Sequence, residues 1–320
     1  MAIPGWTRTE SPFHHGELAI QSRMGVQEQM DKQGRGSIRE FMPDQHRQLY
    51  AQLPYLIVGT VDAASYPWAS ILVGAPGFVT SPDKRTLQIA AKPLFGDPLV
   101  GTLADGIDIG LLGIELPTRR RNRMNGIVTM AHSEGFEVQV RQSFGNCPKY
   151  IQARTSRLDE FGPATPKPVY RVETLGEIEK TLIASADTFF IATAYQSGAA
   201  GVSSGVDVSH RGGKPGFVRI DEDDTLTVPD FSGNCHFNTF GNLEMNPKAG
   251  LLFIDFGTGD LLYLTGTARV IWEGSEIKVY KGAERLFRFQ LNQGYRVDGS
   301  LPLRWSTPEF SPFLGSTGSW

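Results

Sequence analysis

The chain repeats itself. "APGFV" (Ala75 to Val79) returns 139 positions later as "KPGFV" (Lys214 to Val218), and "RTLQIA" (Arg85 to Ala90) returns at the same offset as "DTLTVP" (Asp224 to Pro229). "IGLLGIELP" (Ile109 to Pro117) matches "AGLLFIDFG" (Ala249 to Gly257) at an offset of 140, where Gly126 also meets Gly266. Four blocks in register constrain the fold more than any single motif, because a repeat of this length is one folded unit written twice. A tandem duplication is therefore expected. Its halves are residues 1–165, an N-terminal extension plus a first unit, and residues 166–320, a second unit with a C-terminal tail. The boundary is set at the proline- and charge-rich stretch around Phe161 to Tyr170.

Each half reads as mainly β. Its apolar runs are short and separated by Gly, Asp and Pro turns: "YLIVGTV", "TLQIA" and "FEVQV" in the first half, "FFIATAY", "LLFIDF" and "RLFRF" in the second. A helix opens each half. In "ETLGEIEKTLIASA", Thr174 and Glu177 have capping-box spacing, with Leu175, Ile178 and Leu182 on one face. In "MPDQHRQLYAQLP" Pro43 stands near the helix start. A helix followed by about six strands, twice, predicts two small antiparallel barrels that pair as an internal pseudo-dimer.

Composition narrows the function. The net charge of -3 in 320 residues argues against nucleic acid and membrane surfaces as partners. No apolar run reaches the ~20 residues of a membrane helix, and the N-terminus lacks a signal-peptide pattern. Two cysteines without metal-type spacing, Cys147 and Cys235, point to a reduced, cytoplasmic setting and disfavour a disulfide. No metal site is expected, since His14 and His15 have no spaced ligand partners. Against this near-neutral background "TRRRNRMNG" (Thr118 to Gly126) is an exception. Such a run is either a solvated face or one wall of an anion pocket.

The stretch from Val206 to Phe256 resembles the pyridoxamine 5'-phosphate oxidase-like flavin-binding split barrels. The order of parts agrees: a polar strand, a "GFV" turn, a "TL.V" strand, a polar loop into a helix ending "NP", and the strand "GLLFIDF". "TRRRNRMNG" and "FGNCPKYIQAR" resemble a branch with two such barrels in one chain. The tail "LPLRW…SP…TGSW" is similar to a junction that leads, in longer relatives, into a ferredoxin-reductase module, which this sequence is expected to lack. The resemblance implies FMN held at the seam between two barrels.

Comparing the halves suggests which seam keeps the site. "SILVGAPGFV" is apolar after Ser70, whereas "SHRGGKPGFV" offers Ser209, His210, Arg211 and Lys214, suited to a phosphate. The loop "DFSGNCHFNTFGN" adds Asn234, Thr239 and Asn242 near a helix start, which favours an anion. The later strand reverses the asymmetry, with Arg120, Arg121 and Arg123 opposite Asp260, Leu261 and Tyr263. Arg120, Arg123 and Gly126 meet the family pattern R–x–x–R–x–x–G, which implies a strand reaching the flavin of the partner barrel. The family's Ser-x-Lys falls on Phe237 and Thr239, so Arg211 or Lys214 would stand in for the lysine. The expectation is one composite FMN site and an FMN-dependent oxidoreductase acting on a small molecule, reduced by NAD(P)H or a separate reductase. No catalytic residue is assigned. The alternatives are a non-catalytic flavin or haem binder and a deazaflavin in place of FMN. Whether the pseudo-dimer pairs further into a homodimer is left open.

Overall fold

The computed structural model describes residues 5–159, 166–196 and 201–320. The expected boundary at 165 and 166 falls at the edge of a segment, 160–165, outside the described residues. Among the described residues no helix is long and apolar enough to cross a membrane.

Three helices come first: α1 (His15–Arg23), α2 (Gln27–Ser37) and α3 (Asp44–Gln52). A seven-stranded sheet follows, made of β1 (Tyr55–Val61), β2 (Pro67–Val73), β3 (Val79–Thr80), β4 (Thr86–Ile89), β5 (Asp108–Glu115), β6 (Arg120–His132) and β7 (Gly135–Gly145). After β8 (Ser156–Leu158), β9 (Val169–Val172) and α4 (Glu177–Ser185) comes the second sheet. It holds β10 (Thr188–Tyr195), β11 (Gly205–Gly212), β12 (Arg219–Ile220) and β13 (Thr225–Phe231), then, beyond α5 (Asn238–Met245), β14 (Lys248–Ile254) and β15 (Leu261–Ile271). Helix α6 (Ser275–Val279) leads to β16 (Ala283–Val297), and β17 (Leu303–Trp305) ends the strands.

The two sheets have the same topology. Strand order is β2-β1-β5-β6-β7-β4-β3 in the first and β11-β10-β14-β15-β16-β13-β12 in the second, where β9 also pairs with β16. The repeated residues explain the match. The Phe78 N–H donates to the Ala75 carbonyl at 2.9 Å, and the Phe217 N–H donates to the Lys214 carbonyl at the same distance. Gly126 and Gly266 each sit where the register shifts by a bulge, between β6 and β7 and between β15 and β16. A Cβ there would lie 2.3 Å from the Gln139 carbonyl or 2.0 Å from the Gln290 carbonyl, so the bulge admits only glycine.

Apolar runs appear continuous because both faces of the central strands are buried. In β1, Leu56 and Val58 face the interior of the first barrel while Tyr55 and Ile57 join a cluster between the barrels. In β10, Phe189 and Ile191 enter the second barrel while Phe190 and Ala192 join the same middle cluster. Glycine lets the barrels approach at the seam. A Cβ on Gly110 would lie 2.6 Å from the Val206 carbonyl, and one on its counterpart Gly250 would lie 2.2 Å from the Pro67 carbonyl.

Two local expectations need correction. Helix α4 starts at Glu177 with Gly176 as its cap, and Glu179, not Glu177, accepts from the Gly176 N–H at 3.0 Å. Glu179 is also buried against Arg296, and that ion pair fixes the register. Ile178 is consequently 58% exposed, and Ile183 takes its place in the core beside Leu175 and Leu182. Pro43 caps α3 from outside the helix. The helices α1 and α2 were not foreseen, because polar runs such as "QEQMDKQGRGS" carry little apolar periodicity.

Candidate functional site

A cavity opens where the two barrels meet. From the first half come Arg121 and Arg123 on β6, and Asn146, Cys147, Lys149 and Tyr150 just after β7. From the second half come Ser209, His210 and Arg211 on β11, Asp230 and Phe231 at the end of β13, and Asn234, Cys235 and Phe237 in the loop. Asn238, Thr239 and Phe240 at the start of α5, and Glu284 and Arg285 on β16, complete the wall. Strand alternation puts Arg121 and Arg123 on one face of β6 and turns Arg120 to the other.

Positive charge exceeds negative in the wall. Arg211 pairs with Asp230, which also lies 3.5 Å from Arg285, and Arg285 pairs with Glu284. Arg123 is buried, donates to Asp207 at 3.0 Å and also donates to the Ser209 hydroxyl. Arg121 has no carboxylate within ion-pair distance among the described residues. Its Nε donates to the Cys147 carbonyl at 2.8 Å and its Nη1 to the His210 carbonyl at 3.4 Å. Burial, with Arg123 adding like-charge repulsion, pushes the Arg121 guanidinium down to about 9. It stays a cation at neutral pH, in surroundings that an anion would relieve. Lys149 likewise lacks a carboxylate among the described residues and stands 5.3 Å over the Phe313 ring.

His210 is buried, and its pKa is held well below the ordinary value, first by burial and then by Arg121 and Arg211. It is a neutral imidazole whose Nε2 has no partner, and Asn146 Nδ2, Arg123 Nε and Arg211 Nε are also buried without one. Buried polar atoms without partners cost on the order of 1–3 kcal/mol each. Several of them around one cationic cavity describe a surface shaped to receive polar oxygens.

Of the ten residues singled out from sequence, seven line this cavity: Arg121, Arg123, Ser209, His210, Arg211, Asn234 and Thr239. Three lie elsewhere. Arg120 donates to the Gln45 carbonyl at 2.6 Å, on the α3 side of β6. Lys214 donates to the Thr317 carbonyl at 2.6 Å, so the C-terminal tail takes the lysine that the sequence comparison reserved for a phosphate. Asn242 is interior, bonded to His14, Thr193 and Asp207. Its place in the middle of α5, past the first turn, turns it away from the opening. Sequence reasoning missed Asp207, Asp230, Glu284 and Arg285. Asp207 was findable, since it lies two residues before Ser209 on the same face of a strand. Arg304 and Trp305 stay away from the cavity, Arg304 paired with Asp159 and Trp305 packed on Tyr55 and Phe256. Cys147 and Cys235 are free thiols on the cavity wall.

The pseudo-equivalent position on the other side of the seam is packed shut. Tyr263 stands where Arg123 stands and Ser70 where Ser209 stands. The Tyr263 hydroxyl donates to Asp97 Oδ2 at 3.1 Å, and the Ser70 hydroxyl donates to Asp97 Oδ1 at 2.5 Å. All three side chains are buried. The Tyr263 ring and the Asp97 carboxyl, whose pKa burial raises to about 6, fill the seam where Arg123 and Ser209 stand on the other side.

Comparison with known proteins gives the following. Group A Streptococcus HupZ is similar over 38% of this chain and 99% of its own, at 15% identity and a TM-score of 0.31. A FAD-binding protein from Mesorhizobium loti is similar over 40% and 97%, at 13% identity and a TM-score of 0.27. HutZ, a haem storage protein from Vibrio cholerae, is similar over 39% and 95%, at 18% identity and a TM-score of 0.27. No curated protein matches the chain. Residues 176–299 match the pyridoxamine 5'-phosphate oxidase family, and the second barrel is thereby identified as a split barrel of the pyridoxamine 5'-phosphate oxidase-like kind.

Proposed function

We propose that the protein binds FMN in the cavity between the barrels and acts with it as an oxidoreductase on a small molecule. The observation that supports this most is Arg121 and Arg123 of one barrel facing Ser209, His210 and Arg211 of the other. The donor set suits the cofactor. Arg121 and Lys149, without carboxylates, match a phosphate dianion, which prefers charge-assisted donors. Ser209, Asn234 and Thr239 supply neutral donors, and Tyr150, Phe231 and Phe237 offer apolar surface to a flat ring system.

FMN, when bound, would supply the two-electron chemistry, while the protein supplies binding, orientation and electrostatics. The cationic wall would favour negative charge on whatever ring it faces. His210, kept neutral, adds an uncharged ring nitrogen to that wall. The unpaired site and the packed-shut counterpart favour one cofactor per chain, as expected if a duplicated unit lost one of two sites. Reducing equivalents would come from NAD(P)H or a separate reductase.

The test is an absorbance titration of the purified protein with FMN. Saturation at one flavin per chain supports the proposal, and two per chain would defeat the single-site reading. No binding would leave the second reading, a haem-binding or haem-sequestering protein. The partnerless Nε2 of His210 favours that alternative, because a neutral imidazole nitrogen is an axial ligand type. A Soret band on haem addition that His210→Ala abolishes would select it. Binding of a deazaflavin in preference to FMN would change the cofactor and keep the site.

A further inference from the structure

Helix α1 belongs by sequence to the N-terminal extension, yet it lies on α5 of the second barrel. A Cβ on Gly16 would sit 2.1 Å from the Gly241 carbonyl. From that contact one line of buried hydrogen bonds runs to the cavity wall. His14 Nε2 meets Asn242 Oδ1 at 2.9 Å, and Asn242 Nδ2 donates to Asp207 Oδ2 at 2.9 Å. Asp207 Oδ1 accepts from Arg123 Nη1 at 3.0 Å and from Asn125 Nδ2 at 2.8 Å. Arg123 Nη2 donates to Ser209, to which Thr239 Oγ1 donates at 3.1 Å.

The direction of each proton from His14 to Arg123 is determined. Asp207 as an ion-pair carboxylate only accepts, so Asn242 turns its amide nitrogen to Asp207 and its oxygen to His14. His14 must then carry its proton on Nε2. That leaves Nδ1 bare to accept from the Gly16 N–H at 3.1 Å, which is the cap of α1. One tautomer serves both ends, and burial, the main cause of the lowered His14 pKa, keeps the ring neutral. Nothing in the line is free to rotate without stranding a buried group, a condition under which polar networks fix geometry.

We infer that α1 is a working part of the cavity and that His14, through Asn242 and Asp207, sets the guanidinium of Arg123. His14 is a positioning residue. Its effect on binding rests on the reading of the cavity as an FMN site, whereas its effect on Arg123 does not. Two substitutions separate the roles of the ring. His14→Asn retains the cap, since asparagine is a favoured N-cap, but is too short to reach Asn242. His14→Gln keeps a donor at the distance of Nε2.

The experiment pairs FMN titration with arginine-selective 15N NMR of the flavin-free protein, the Arg123 signals being identified by their loss in Arg123→Lys. Wild type and His14→Gln should show separate, slowly exchanging Arg123 Nη protons. His14→Asn should merge or broaden them and weaken FMN binding about tenfold, with no further loss when added to Arg123→Gln. Unchanged Arg123 signals in His14→Asn overturn the inference, as does a loss of FMN affinity that persists in the Arg123→Gln background. If wild type binds no FMN, the functional reading falls while the NMR comparison still decides the role of His14.

Discussion

Replacing Asp97 by asparagine should stabilise the protein, and only above mildly acid pH. Asp97 is buried at the shut side of the seam, and burial raises its carboxyl from 3.8 to about 6 against the opposing help of four hydrogen bonds. The sign follows from linkage. A folded-state pKa above the unfolded one means that folding prefers the protonated group. Its stability contribution is whole below pH 3.8, falls by about 1.4 kcal/mol per pH unit as the unfolded chain ionises first, and is lost once pH passes about 6. The gap between the two values corresponds to about 3 kcal/mol. Asparagine holds the neutral form at every pH. Its oxygen keeps the Leu99 N–H and the Ser70 hydroxyl, which reach Asp97 Oδ1 at 2.8 and 2.5 Å, and its amide donates to the Tyr263 oxygen. Urea unfolding at pH 3.5 and pH 7.5 tests this. Near-equality at the lower pH and a gain of about 3 kcal/mol at the higher are expected, with a rise in Tm of roughly 2 °C per kcal/mol. A pH-independent difference, or a less stable Asp97→Asn at pH 7.5, refutes the reasoning.

Arg121→Gln should weaken FMN binding at least tenfold, about 1.4 kcal/mol, without loss of stability, because it removes a half-buried cation that has no carboxylate. Arg120→Gln, on the other face of the strand, should leave the affinity within twofold in the same fluorescence titration. Equal losses would mean that the side assignment along β6 is wrong. Gly250→Ala and Gly110→Ala should each cost about 1–3 kcal/mol in thermal or urea unfolding, since the new methyl meets backbone of the opposite barrel. A loss under about 0.5 kcal/mol at either glycine would refute the close seam.

Much of the architecture is legible in the sequence because repetition carries it. Gly126 and Gly266 mark the same bulge, and the "PGFV" turns close with the same hydrogen bond. Comparing the halves also isolates part of the cavity wall, since Arg121, Arg123, His210 and Arg211 break the repeat where the other half carries Leu261, Tyr263, Ile71 and Leu72. What sequence could not give is set by partners far along the chain. Lys214 has the right type for a phosphate, and only the carbonyl of Thr317 decides that it points away. Asn242 counts as a donor near a helix start until His14, distant in sequence, claims its oxygen. Arg120 fits a spacing pattern, yet strand alternation gives adjacent arginines opposite faces. The capping box at Glu179 was obscured by a better-looking pair two residues earlier, because Arg296 lies outside any local window.

The seating of α1 on α5 has a consequence for how the chain is made. Helix α1 has its docking surface, and the partner of its His14, 228 residues downstream. The pairing of β8 with β17 likewise waits for the tail. The first barrel can therefore close its sheet and hold Pro12, Phe13 and Arg39 against β7 while synthesis continues, but α1 cannot seat on α5 until Asn242 has emerged. Completion of the cavity wall is thus a late event, tied to the arrival of the second barrel, and a nascent chain stalled between the barrels would hold Arg121 and Arg123 with nothing yet to face.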